Sequence, residues 1–280
     1  MINILFPPGA FGSTLEFCIR YFSNEHFDDS LIVENSFTSD GAMHAFKKEF
    51  HTGNFNDYRP EYTVASLIYP DFNNKPAVET VLTYKQKFPS HSKTVLIVLG
   101  NLVEAEKCTM FQLYRAGDKI LPIVYKSKLR FYNVSSTSEL EVWQKREMIS
   151  YHLAQWQKNI FPNENIPTEW LTISFDDVLY YLEDTLIKIF DFLNLTFNNN
   201  NIKSFYDIWA NKQTYVLNEI DLANNIMEHL NNNEFLEWNK LSLYGEALLQ
   251  YKIRKNNKQL RCYGVNDFPT NTIELKSIIE

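Results

Sequence analysis

The chain opens with Ile2-Asn3-Ile4-Leu5-Phe6-Pro7-Pro8-Gly9-Ala10-Phe11-Gly12-Ser13-Thr14-Leu15, and the reading of the whole depends on this stretch. Residues 2–6 form a short apolar run that reads as a buried strand. A Pro-Pro-Gly turn follows. Residues 13–22 then read as a helix, with Leu15, Cys18, Ile19 and Phe22 on one face. A strand, a glycine-containing turn and a helix start in succession make a natural oxyanion site. Gly9 and Gly12 let the backbone approach an anion and take positive φ. Free N–H groups at the helix start point at the anion, aided by the helix dipole. Ser13 and Thr14 add hydroxyl donors. The plainer alternative is that the glycines only permit a tight turn and Ser13 caps the helix.

Beyond this turn, short apolar runs alternate with longer amphipathic ones. Residues 31–33 and 64–69 read as strands, and 75–88 as a helix. Residues 94–99, Thr-Val-Leu-Ile-Val-Leu, are continuous, β-branched and bounded by Gly100. Such a run fits a central parallel strand buried on both faces. A helix over 102–115, a strand over 119–125 and a long helix over 139–158 follow. The last has Val142, Ile149, Leu153 and Trp156 toward the core, and Trp143 is read as core too. Residues 170–174 read as a strand, Phe175-Asp176-Asp177 as a helix start and 178–193 as one amphipathic helix. From 198 onward the pattern is helical, with Asn-rich breaks at 198–201 and 231–233. The expectation is one α/β domain over residues 1–280. It has a parallel sheet flanked by helices and a mostly helical part from 198 to 280.

Composition narrows the function classes. Hydrophobic residues are 45 % and aromatic residues 15 % of the 280, enough for a sizeable core. The net charge of −7 argues against a broad nucleic-acid surface, which needs a basic face. Three separated cysteines, Cys18, Cys108 and Cys262, offer neither a metal spacing nor a disulfide framework. The N-terminus lacks a basic region before its short apolar run. No stretch reaches the ~20 apolar residues of a membrane helix. The expectation is a protein of the cytoplasm without a transmembrane segment.

The turn itself disfavours one chemistry. Nucleotide-triphosphate hydrolysis calls for GxxxxGK[ST] and a strand-end Asp near Mg²⁺. Here Gly12 runs directly into Ser13, and strand 94–99 ends in Gly100.

Residues 6–15 resemble the 5′-phosphosulfate loop of the sulfotransferase family, which is of the P-loop type. Leu171-Thr172-Ile173-Ser174-Phe175-Asp176-Asp177-Val178, followed by Thr185, Ile189 and Phe192-Leu193-Asn194-Leu195, resembles that family's late strand, acidic helix start and helix end. The resemblance implies a P-loop nucleotide-hydrolase-like architecture. It also implies 3′-phosphoadenosine-5′-phosphosulfate as co-substrate, no metal, and sulfuryl transfer to a hydroxyl or amine of a small-molecule, sugar or lipid acceptor. Gly9, Gly12, Ser13 and Thr14 would bind the 5′-phosphosulfate.

The chain departs from the family pattern at three places. The usual cation before the turn falls on Ala10. The Arg and Ser of the family's 3′-phosphate site fall on Gly100 and Cys108. A charge-assisted contact to phosphate contributes on the order of 1.5–3 kcal/mol. Lys107, Arg115, Lys126, Lys128 and Arg130 are candidate replacements, and Arg115 is taken as donor-binding. Arg254, Lys255, Lys258 and Arg261 resemble the family's basic loop over the nucleotide. Sulfuryl transfer needs a base for the acceptor and positive charge or donors for the leaving phosphate. Glu34, after strand 31–33, is the first choice of base, with His44 and His51 behind it. Glu16 is expected to face outward. Two rival readings remain: the fold acts as a binding or interaction protein without sulfate transfer, or another group is transferred from a different phosphate ester.

Overall fold

The computed structural model describes residues 2–23, 64–68, 85–86, 88, 90–116, 133–135, 139–156, 166–198, 202–232 and 241–256. The chain falls into two compact units. One comprises Met1–Arg115 with Lys158–Gln213, the other Ala116–Gln157 with Thr214–Glu280.

Among the described residues, the first unit is an α/β layer built on four parallel strands in the order β2-β1-β3-β4. Strand β1 is Ile2–Phe6, β2 is Val64–Ile68, β3 is Lys93–Val98 and β4 is Leu171–Ser174. Ile4 and Leu5 of β1, and Val95, Leu96 and Ile97 of β3, are wholly buried. This burial on both faces is what the continuous apolar runs predict. Ile2 pairs with Val64 on one side and Lys93 on the other, so β1 is an inner strand. The chain leaves β1 for β2 on one flank and returns to β3 on the opposite flank. The strand order therefore reverses between β1 and β3. In open parallel sheets the carboxyl ends at such a reversal flank the ligand crevice.

Helix α1 (Gly12–Tyr21) follows β1, and α2 (Leu102–Ala116) follows β3. Glu16 is buried in α1 and pairs with Arg20 at 3.3 Å, so the outward orientation expected for it is wrong. The apolar stripe of α1 fills both sides of the helix, leaving Glu16 inside with a partner one turn on. After β4 comes α4 (Phe175–Tyr180), then α5 (Leu182–Leu193). The expected single helix over 178–193 is thus two helices meeting at Tyr181 (φ −131°, ψ 45°). Lys93 Nζ donates to the Phe192 carbonyl at 2.7 Å, tying the start of β3 to the end of α5. Asn194, with φ 58°, closes α5, and the Leu195 N–H reaches back to the Phe190 carbonyl at 3.0 Å.

In the second unit, α3 (Val142–Trp156) packs on α7 (Leu243–Asn256). Arg146 Nε lies 3.6 Å from Glu246 Oε2. Ile149 and Leu153 are buried as expected, but Val142 is 62 % exposed. Val142 opens the helix, nearly two turns before the buried run from Met148 begins. Trp143 is half-buried rather than core, with its indole donating to Glu141. Helix α6 (Ile202–Asn231) gives residues 202–213 to the first unit and the remainder to the second. Glu219 accepts from the backbone N–H and hydroxyl of Ser242 at the start of α7. A Cβ at Gly245 would lie 2.1 Å from Glu219 Oε2, so a larger residue there would displace the carboxylate from Ser242.

Candidate functional site

The site is built at the carboxyl ends of β1, β3 and β4. Pro7-Pro8-Gly9-Ala10 folds as a tight turn in which the Ala10 N–H donates to the Pro7 carbonyl at 3.0 Å. Gly9 has φ +96°, so the turn has type II character, with Pro at its second position and Gly at its third. Phe11 then takes the left-handed region (φ 63°, ψ 19°), an uncommon conformation for an aromatic residue. Its ring holds it there. The ring packs at 5.1 Å on Phe111, 5.7 Å on Phe175 and 5.2 Å on Trp209. The Arg115 guanidinium carbon sits 3.9 Å from the same ring centroid. Backbone strain of this kind costs about 1–3 kcal/mol and persists where packing over-determines it.

Phe11 is the N-cap of α1 and offers no side-chain acceptor. The first bond of α1 runs from the Leu15 N–H to the Phe11 carbonyl at 3.0 Å. The amides of Gly12, Ser13 and Thr14 precede it and so have no intrahelical acceptor. Thr14 is buried and Ser13 half-buried. Both glycines are also fixed by packing. A Cβ on Gly12 would meet the Phe6 ring at 1.9 Å, and one on Gly9 would meet the Cys108 carbonyl oxygen at 2.2 Å. The Cys108 thiol donates to the Pro8 carbonyl at 3.2 Å, joining α2 to the turn. Burial pushes that thiol far above the ordinary range, so it is a structural donor and not a nucleophile.

At the end of β3, the Gly100 N–H donates to Glu104 Oε2 at 2.8 Å. The Glu104 N–H donates to Asn101 Oδ1 at 2.9 Å. This reciprocal cap starts α2 and places a carboxylate beside the reversal point. Burial raises the Glu104 pKa, the Gly100 amide opposes that, and Asp176 adds to it. Lys107 Nζ lies 3.0 Å from both carboxylate oxygens of Asp176, at the start of α4. It also stands 4.8 Å from the Tyr180 ring centroid. Burial works to lower the Lys107 pKa, but its bonds to Asp176 and Tyr180 outweigh this and hold it above the ordinary lysine value.

The structure thus brings Gly9, Gly12, Ser13, Thr14 and Arg115 around one turn. The positions the resemblance assigns to donor-binding side chains carry no cation. Ala10 is buried with its amide bonded to Pro7, Gly100 is bonded to Glu104, and Cys108 is buried against Pro8. Glu34, His44, His51, the basic segment 125–130, Lys258 and Arg261 lie outside the described residues. Sequence reasoning missed Glu104 as a feature of the site, although Asn101-x-x-Glu104 has the spacing of a helix-start cap. It also missed Trp209, for which no local signal exists. Among the described residues no group of three His, Cys, Asp or Glu is placed to hold a metal ion, and no helix is long and apolar enough to cross a membrane. No family model matches the chain, and no curated protein or solved structure matches it either.

Proposed function

We propose that this protein is a sulfotransferase-like protein of P-loop architecture whose turn at residues 9–14 holds the 5′-phosphosulfate of 3′-phosphoadenosine-5′-phosphosulfate. The supporting observation is the place of that turn. An inner parallel strand runs through a positive-φ glycine into a helix whose first three amides lack intrahelical acceptors, beside the reversal of strand order. Backbone donors so arranged would hold the sulfuryl oxygens and stabilise charge developing on the leaving phosphate. The acceptor would be a hydroxyl or amine of a small molecule, sugar or lipid, with Glu34 as its base.

One observation favours a second reading, in which the fold binds a partner or ligand without transferring sulfate. Glu104 carries a carboxylate to the place where the resemblance expects a phosphate-binding cation, and Cys108 is turned inward to Pro8. Titration calorimetry with adenosine 3′,5′-bisphosphate separates the two. The first reading expects binding at or below the millimolar range, lost in Ser13→Asp. Aspartate at the second position of α1 favours the helix dipole, so that variant keeps its fold while repelling an anion. Absence of heat at millimolar ligand discards the first reading. Binding without transfer of labelled sulfate across an acceptor panel supports the second.

A further inference from the structure

Among the described residues, two buried donors on α6 have no hydrogen-bond partner. Trp209 is 2 % exposed and Gln213 is 3 % exposed, and neither the indole Nε1 of Trp209 nor the side-chain Nε2 of Gln213 finds an acceptor. They are four residues apart and so share one helix face, about one turn from each other. Trp209 packs edge-on to Phe11 of the turn, at 5.2 Å between ring centroids with planes at 69°. The Arg115 guanidinium lies over that same Phe11 ring at 3.9 Å. A buried donor left unsatisfied forfeits its hydration with nothing in return. Native structures satisfy most such groups, and the exceptions ask for an explanation. The two share one helix face, and Trp209 packs on the same Phe11 ring that carries the Arg115 guanidinium, so they share a simple one: the missing acceptor comes with the ligand.

We propose that Trp209, Gln213 and Arg115 form a carboxylate-binding subsite, and that the molecule bound at the turn, or its acceptor, carries a carboxylate group there. The ligand class follows from charge and shape. The proposed donors are two neutral N–H groups and one guanidinium, a set that suits a planar monoanion with two oxygens. A phosphate dianion would bring a second charge into a buried place at a much larger desolvation cost. The subsite deepens the reading of the turn as an anion site and rests on it for the identity of the ligand, but its donors can be tested alone.

The test uses the full chain and acetate as probe, at constant ionic strength with chloride as control and inorganic phosphate as a second arm. Trp209→Phe removes the indole donor together with the volume of its second ring, and Gln213→Leu removes the amide at nearly constant volume. The proposal expects acetate to raise the melting temperature of the wild type in a saturable way, with a dissociation constant in the millimolar range. Each variant should weaken acetate at least about five-fold, the loss of one hydrogen bond. Without acetate Gln213→Leu should melt at or above the wild-type temperature, because an unsatisfied donor has gone with little change of volume. Acetate binding equal in wild type and variants overturns the proposal. So does no acetate binding at all, and so does a Gln213→Leu variant that melts well below the wild type, which would show that the amide is already spent on a buried acceptor such as a water. Phosphate displaced by Ser13→Asp but not by Trp209→Phe or Gln213→Leu would leave the turn standing and the carboxylate subsite refuted. Acetate lost in the α6 variants, with phosphate unbound in every chain, would do the reverse.

Discussion

Gly12 and Gly9 show how much one missing methyl group can decide. A Cβ at Gly12 would lie 1.9 Å from the buried Phe6 ring, and one at Gly9 would meet backbone at 2.2 Å on a residue with φ +96°. We expect Gly12→Ala and Gly9→Ala each to destabilise the fold by about 2 kcal/mol or more, read as a lower urea midpoint with unchanged slope. Unchanged midpoints would show that the turn is looser than described. His152 gives a second prediction at this scale. Burial lowers its pKa from 6.5 to about 4. The unfolded chain binds that proton at the ordinary value, the folded chain only near the lowered one. Between the two the unfolded state holds more protons, so stability falls as pH drops through this window, by about 1 kcal/mol per pH unit. Above pH 6.5 the residue contributes no slope. Unfolding free energies from pH 7 to 4 should show this limb, and His152→Gln should flatten it.

At the scale of elements, strand–helix junctions carry most of the order. Ser174 ends β4 and caps α4: its hydroxyl accepts from the Asp177 N–H at 2.9 Å, while the Asp177 carboxylate accepts from the Ser174 N–H at 3.4 Å. Ser174→Ala should cost about 1 kcal/mol, measured by thermal or urea unfolding; a loss below a few tenths would mean the cap is dispensable. The strands were legible in the sequence because continuous apolar runs such as Val95-Leu96-Ile97-Val98 leave few alternatives once flanked by turns. The acidic helix start at Asp176-Asp177 was legible for the same local reason. The break at Tyr181 was not. Leu179, Leu182, Leu186 and Ile189 are buried on both sides of it, so the apolar spacing runs on while the Tyr181 N–H closes back to the Asp177 carbonyl. Nor was Val142 legible as exposed, because helical spacing assigns a face without saying how far along that face a partner helix packs.

At the scale of the molecule, the sequence led to a parallel, helix-flanked sheet with the first strand inside it, and the four-stranded order β2-β1-β3-β4 agrees. The site was legible only in its backbone part. Gly, Ser and Thr at residues 9–14 announce a turn before a helix. The left-handed Phe11 and its ring neighbours Phe111, Phe175, Trp209 and Arg115 come from four separate stretches, and no spacing rule brings them together. The central claim is that the amides of Gly12, Ser13 and Thr14 receive an oxyanion, and backbone amide NMR of labelled protein tests it most directly. On titration with adenosine 3′,5′-bisphosphate, those three amide signals should shift most and saturate together, and Ser13→Asp should abolish the response. Saturable binding that leaves those three signals in place, or no binding at millimolar ligand, would contradict the account.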